Sequence, residues 1–256
     1  MKRARIFHCG RDVWANLSLD EAYLTLADGT RVAAKDVQWL PPVTPGATIF
    51  ALGLNYADHS AELGFKAPDE PLVFLKGPRS FLGHRGTTPR PRDANQMHPE
   101  CELVAILGKP ARRVARAEAL SYVSAYTIAC DYAIREYLEN YYRPNLRVKN
   151  RDATTPLGPW LVDAADVADP QKLALETRVN GVVVLSGNTS GMVFDIATLI
   201  AYLSNFMTLL PGDMILTGTP HGVYFVAHGD EVTCSIEGIG RLANYIKSDA
   251  AAVKSC

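Results

Sequence analysis

The chain has no internal repeat, no low-complexity tract and no nucleotide-binding glycine motif; Gly218-Thr219 lacks the lysine and the spacing of a phosphate-binding loop. It has no charge excess either. Lys and Arg number 26 against 27 Asp and Glu, a net charge of -1 with both signs interspersed, which argues against nucleic acid or an anionic membrane as partner. No apolar run approaches the about 20 residues of a bilayer-spanning helix. Met1-Lys2-Arg3-Ala4-Arg5 is basic, but Ile6-Phe7-His8-Cys9-Gly10 is too short and too polar for a secretory signal core. Cysteine is sparse: Cys9, Cys101, Cys130, Cys234 and Cys256 are scattered, odd in number and without a C-x-x-C pair. The expectation is a cytoplasmic protein with small buried thiols, and neither a disulfide frame nor a structural zinc site.

With 256 residues, 48% of them hydrophobic, the chain can bury a substantial core. Ile6 to Leu40 reads as short strands, with Tyr23-Leu24-Thr25-Leu26 and Thr30-Arg31-Val32-Ala33 flanking the turn pair Asp28-Gly29. Pro41-Pro42-Val43-Thr44-Pro45-Gly46 is a stiff connector, so a small N-terminal β subdomain is expected over 1–46 and a larger domain over 47–256. Val179-Asn180-Gly181-Val182 and Glu237-Gly238 mark two later hairpins. Asp195 is of the type that caps a helix, and Ile196, Leu199, Ile200, Leu203, Phe206 and Met207 follow at helical spacing as a core stripe.

The stretch with most chemistry is His98-Pro99-Glu100-Cys101-Glu102, which runs into the strand-like Leu103-Val104-Ala105-Ile106-Leu107. Residues two apart on a strand share a face, so Glu100 and Glu102 point the same way, roughly 6 to 7 Å apart. Asp131 follows a second strand-like run, Ala125-Tyr126-Thr127-Ile128-Ala129-Cys130. Three carboxylates without a His or Cys cluster suit a hard cation, Mg2+ or Mn2+, better than zinc. The competing reading is a solvated or salt-bridged strand edge.

Other candidates lie on either side. A short helix over Asn55 to Phe65 puts His59 and Glu62 on one face, as an acid/base pair on a mobile lid or as a surface ion pair. Lys76 ends an apolar strand and can reach an anion, though most such lysines are solvated. Asp131 is expected to cap a helix running to Tyr142. The basic segment Arg143-Pro144-Asn145-Leu146-Arg147-Val148-Lys149-Asn150-Arg151, if extended, lines several cations on one face for an anionic small molecule. Leu216-Thr217-Gly218-Thr219-Pro220 leads into a loop that can offer N–H groups and a hydroxyl to an anion, with His221 beside it.

In order, Gly53-Leu54-Asn55-Tyr56-Ala57-Asp58-His59, Glu100-Cys101-Glu102, Tyr126-Thr127 with Asp131-Tyr132, Lys149 with Asp152 before Pro156-Leu157-Gly158-Pro159-Trp160, and Leu216-Thr217-Gly218-Thr219-Pro220 resemble the fumarylacetoacetate hydrolase family over about residues 47 to 246. The resemblance implies an α+β, mainly β protein, a mixed β-sandwich roll, paired as a homodimer. It implies a divalent cation on Glu100, Glu102 and Asp131, Mg2+ with Mn2+ or Ca2+ as substitutes. It also implies Lys149 near that cation, a lid dyad of His59 and Glu62, and substrate contact from Thr219. The text Cys130-Asp131-Tyr132-Ala133-Ile134-Arg135-Glu136 departs from many relatives, which carry Asn before the aspartate and Ser-Ala-Arg-Asp after it.

The expected substrate is a 2-oxo or 2-hydroxy-dienoic di- or tricarboxylate, isomerised or decarboxylated, with Arg143 and Arg147 anchoring its remote carboxylates. Two rivals stay open. One is a carbon–carbon hydrolase of acylpyruvate type; the other is a non-catalytic companion subunit of an active partner.

Overall fold

The computed structural model describes residues 1–66, 68–138 and 146–249. One large sheet of twelve strands runs, in spatial order, Arg31–Ala33, Tyr23–Leu26, Arg11–Leu17, Lys2–His8, Thr155–Asp163, Val123–Cys130, Cys101–Leu107, Met214–Leu216, Ile49–Gly53 and Leu72–Leu75. Gln38–Leu40 pairs with Lys2–His8, and Phe81–Leu82 with Thr155–Asp163. A five-stranded sheet, in the order Val182–Asn188, Ala174–Val179, Glu231–Ile236, Gly240–Ser248 and Thr87–Arg90, packs against it. Met97–His98 and Ala133–Ile134 form a small ribbon. The protein is mainly β, as expected, and the strands of the first 46 residues extend the large sheet through Arg3 opposite Leu161.

Cys101–Leu107 lies at the centre and is buried along its whole length. Its alternate residues serve two cores. Cys101, Leu103, Ala105 and Leu107 pack toward the five-stranded sheet, while Val104 and Ile106 join Ile49, Leu157, Leu161 and Leu216 on the other face. Glu102 belongs by alternation to this second face, at its open end. Cys101 stands opposite Cys130 and Glu102 opposite Ala129, and the Asp131 N–H donates to the Glu100 carbonyl at 2.8 Å. The register therefore puts Asp131 beside Glu100 and on the same face as both glutamates.

Three local expectations need correction. Asp131 caps no helix: its own N–H and those of Tyr132 and Arg135 go to Glu100, Thr154 and Gln96 on other segments. The chain instead forms strand Ala133–Ile134 and a 3-10 turn Arg135–Tyr137. The basic segment is not extended where it is described; Leu146–Lys149 is a helical turn, with Asn150 N–H on the Leu146 carbonyl. Residues two apart on a helix face different ways, which sends Lys149 inward while Arg147 stacks 4.0 Å from the Tyr137 ring centre. In helix Ile196–Phe206 the Asp195 carboxylate does cap, accepting from Thr198 N–H at 2.7 Å. Of the expected stripe it is Phe206 that leaves the core, 57% exposed, while Leu203 is buried and Met207 packs against the core.

Candidate metal centre and lid

Glu100, Glu102 and Asp131 each place a carboxylate oxygen within 4.8 Å of the others, all three side chains buried. Three anions so close are tolerable only with positive charge among them. Two lysines supply it. Lys149 Nζ lies 2.5 Å from Glu100 Oε2 and 3.1 Å from Asp131 Oδ2, the second contact not aligned as a hydrogen bond. Lys76 Nζ donates to Asp131 Oδ1 at 2.7 Å and to the main-chain carbonyl of Lys149.

The charges within this cluster are unevenly settled. Burial opposes ionisation of Glu100, yet the Lys149 ammonium prevails and takes its carboxyl down to about 2. Lys149 is likewise penalised by burial and held above its ordinary range by Asp131, Glu100 and Glu102. Burial pulls Lys76 down, against the attraction of Asp131. Glu102 moves the opposite way from Glu100: burial, then the charges of Asp131 and Glu100, push it well up. Its Oε2 accepts the Gly218 N–H at 2.7 Å, while its buried Oε1 has no partner among the described residues. An orphaned carboxylate oxygen facing two like groups fits a hard divalent cation, whose charge would favour the ionised form of Glu102.

The lid expectation corresponds to helix Ala57–Glu62. His59 Nδ1 sits 3.0 Å from Glu62 Oε2, and the Glu62 carboxylate also accepts the N–H groups of Gly222, at 3.1 Å, and Val223, at 3.0 Å. Burial works against the Glu62 charge, but these N–H donors and His59 outweigh it and lower its carboxyl. The helix is thus tied to the loop that carries Thr219, whose hydroxyl is buried and without a partner among the described residues. Gly222 belongs in that loop: its φ of +130° is closed to most side chains, and a Cβ would meet Leu185 backbone at 2.9 Å.

Between lid and carboxylates lies His98. Its ring is 6.5 Å from that of His59, and its Nε2 is 3.4 Å from Glu100 Oε1. Arg135 Nε–H donates to the same nitrogen at 3.1 Å, which leaves the imidazole proton on Nδ1. Burial takes His98 down to about 3, so it is neutral. Tyr56 places a buried, unpartnered hydroxyl in this region, its phenol pushed up by burial first and then by Cys101 and Glu102.

The structure brings together Glu100, Glu102, Asp131 and Lys149, and His59 with Glu62. Arg147 is on the Tyr137 ring, His221 is exposed, and Arg143 lies outside the described residues. Sequence reasoning weighed Lys76 as a possible anion contact and gave His98 and Arg135 no role. Nothing local pointed to the pairing of His98 with Arg135, which the ribbon of Met97–His98 with Ala133–Ile134 brings together.

A family model described as Fumarylacetoacetate (FAA) hydrolase C-terminal matches residues 48–247. A 4-hydroxyphenylacetate degradation bifunctional isomerase/decarboxylase from Salmonella dublin is 56% identical over 211 residues, 82% of this chain and 49% of that protein. The chain thus spans about half the length of that curated relative. Among solved structures, 2-hydroxyhepta-2,4-diene-1,7-dioate isomerase from Mycobacterium marinum superposes with a TM-score of 0.82 at 31% identity, over 98% of this chain and 99% of that one. Fumarylpyruvate hydrolase from Pseudomonas aeruginosa, in complex with Mn2+ and pyruvate, gives 0.74 at 29% identity, over 82% and 91%.

Proposed function

Because the chain belongs to the fumarylacetoacetate hydrolase family, we propose that it is a divalent-cation-dependent isomerase and decarboxylase of dienoic acids from aromatic breakdown. Its substrates on this reading are 2-hydroxyhepta-2,4-diene-1,7-dioate and 5-oxopent-3-ene-1,2,5-tricarboxylate. The carrying observation is the convergence of Glu100, Glu102 and Asp131 on one point, with Lys149 against them. The similarity to the Salmonella bifunctional enzyme and the Mycobacterium marinum isomerase selects the substrate class.

Glu100, Glu102 and Asp131 would hold the cation, Mg2+ or Mn2+. When bound it supplies Lewis-acid polarisation of a 2-oxo acid's oxygens. Lys149 adds a fixed ammonium where negative charge grows on the substrate, in a site dry enough for that charge to count. The Thr219 hydroxyl, buried and unpartnered, offers a hydrogen bond to the same oxygens. Loss of CO2 and migration of a double bond share one dienolate, and both need a proton delivered to or taken from carbon. His59 is placed to move that proton at Nε2, since Glu62 holds Nδ1. The Glu62 tie to Gly222 and Val223 keeps the lid helix down and water out while this happens. Arg143 and Arg147 are proposed anchors for the distal carboxylates. The working form on this reading is a cytoplasmic homodimer.

A carbon–carbon hydrolase is the second reading, favoured by the likeness to fumarylpyruvate hydrolase. One experiment separates them. Purified protein is incubated with the dienedioate and the tricarboxylate, with and without Mg2+, and followed by ultraviolet spectra and product analysis. A shifted diene absorbance or released CO2 supports the proposal; two acid fragments support hydrolysis; full turnover in saturating EDTA overturns both. Inactivity of the homomer on every dienoate, restored by a partner chain, assigns the role of companion subunit.

A further inference from the structure

The three carboxylates share a feature that a bare ion site does not need: each has one oxygen already engaged by the protein. Glu100 Oε2 is taken by Lys149 Nζ at 2.5 Å. Glu102 Oε2 is taken by the Gly218 N–H at 2.7 Å. Asp131 Oδ1 is taken by Lys76 Nζ at 2.7 Å. The Lys76 side chain has no exposed surface, and a second bond to the Lys149 carbonyl fixes it, so it cannot swing away at small cost. The oxygens left over include Glu102 Oε1 and Asp131 Oδ2, both buried and without hydrogen bonds among the described residues, the Lys149 ammonium standing 3.1 Å from the second.

Denticity decides between hard cations. Ca2+ collects about six to eight oxygens and uses two-oxygen carboxylate grips freely, whereas Mg2+ keeps to an octahedron of about six and retains waters. Mn2+ shares the smaller ion's octahedral preference. We propose that Lys76 is a positioning residue for cation choice: by occupying Asp131 Oδ1 it limits that aspartate to one oxygen and makes the site reject Ca2+ in favour of Mg2+ and Mn2+. The proposal rests on the cation reading above and sharpens it, removing Ca2+ from the substitutes the family resemblance implies.

The test uses the full chain without substrate, so that turnover is not the readout. Mn2+ and Ca2+ affinities are measured by calorimetry and by competition against the Mn2+ electron-paramagnetic signal, for the wild type and for Lys76→Met. Removing a positive charge favours every divalent ion alike, so the ratio of the two affinities isolates denticity. The wild type is expected to prefer Mn2+ strongly, and Lys76→Met to narrow that preference by about tenfold or more, since Asp131 Oδ1 becomes free for a larger ion. An unchanged ratio in Lys76→Met overturns the assignment, as does equal affinity in the wild type. Failure of the wild type to bind either ion sinks the cation reading itself, a distinguishable result. If Lys76→Met does not fold, line broadening of wild-type-bound Mn2+ in 17O-water decides instead: about three bound waters is the count for three one-oxygen carboxylates on an octahedral ion, and fewer overturns the proposal.

Discussion

Glu100, Glu102 and Asp131 are set by two strands paired through six consecutive residue pairs, from Cys101 opposite Cys130 to Ile106 opposite Ala125, with a register shift only beyond them at Leu107. His59 and Glu62 sit on a helix of six residues, tied down through one carboxylate to two loop N–H groups. The first arrangement cannot shift by less than a residue, because a slipped register turns every side chain over. The second can be undone at the cost of a few hydrogen bonds. On the proposed reading, the groups that would hold the ion are thus locked into the core, and the pair that would move a proton stands on a more weakly fastened part.

Breaking the locked side should cost most. Glu102→Gln is expected to abolish cation binding and turnover together, which calorimetry with Mn2+ and a spectrophotometric assay would show; binding without loss contradicts the assignment. On the mobile side, His59→Ala should lower kcat by about 10²- to 10⁴-fold with Mn2+ affinity and melting temperature nearly unchanged. A parallel drop in stability would show that the two regions are not separable. Lys149→Met leaves buried carboxylates without their ammonium and should destabilise the fold by about 3 kcal/mol, measured by urea unfolding without added metal. Glu62→Gln should slow turnover by about ten- to a hundredfold and speed hydrogen exchange at Gly222 and Val223; unchanged exchange there would remove the tie from the account.

The smallest effect is one of pH. The Glu100 carboxyl falls from its ordinary 4.5 to about 2 in the folded protein. The stability from its pairing with Lys149 is therefore complete above 4.5 and lost as the solution is acidified toward 2. Urea midpoints of metal-free protein across that window should fall in the wild type and fall less in Glu100→Gln.

How much of this could be read beforehand follows the same division. Alternation along Glu100-Cys101-Glu102 and the strand character before Asp131 were sufficient for the carboxylate trio, because strand periodicity is local. The spacing of His59 and Glu62 announced their pairing for the same reason. What could not be read was where backbone hydrogen bonds cross between distant segments. Asp131 looks like a helix cap until its own N–H and those of Tyr132 and Arg135 are found on Glu100, Thr154 and Gln96. Lys76 looks solvated until Asp131, 55 residues away, closes on it. The alternate spacing of Arg147 and Lys149 would line both on one face of an extended chain, and a single helical turn separates them instead.

Lys2–His8 is lined early by Arg11–Leu17 and Gln38–Leu40 and waits for Thr155–Asp163 only at Lys2 and Arg3, whereas Ile49–Gly53 finds its parallel partner on Met214–Leu216. On the ribosome, Ile49–Gly53 must therefore keep an open edge until the segment carrying Met214–Leu216 is made. Pairings so remote in sequence are slow to form and leave strand edges exposed to other chains. Glu102 acquires its Gly218 contact only when that late segment docks, so a nascent chain stalled before it carries the acidic cluster unfinished. Holdase chaperones should therefore be needed most during that interval of synthesis.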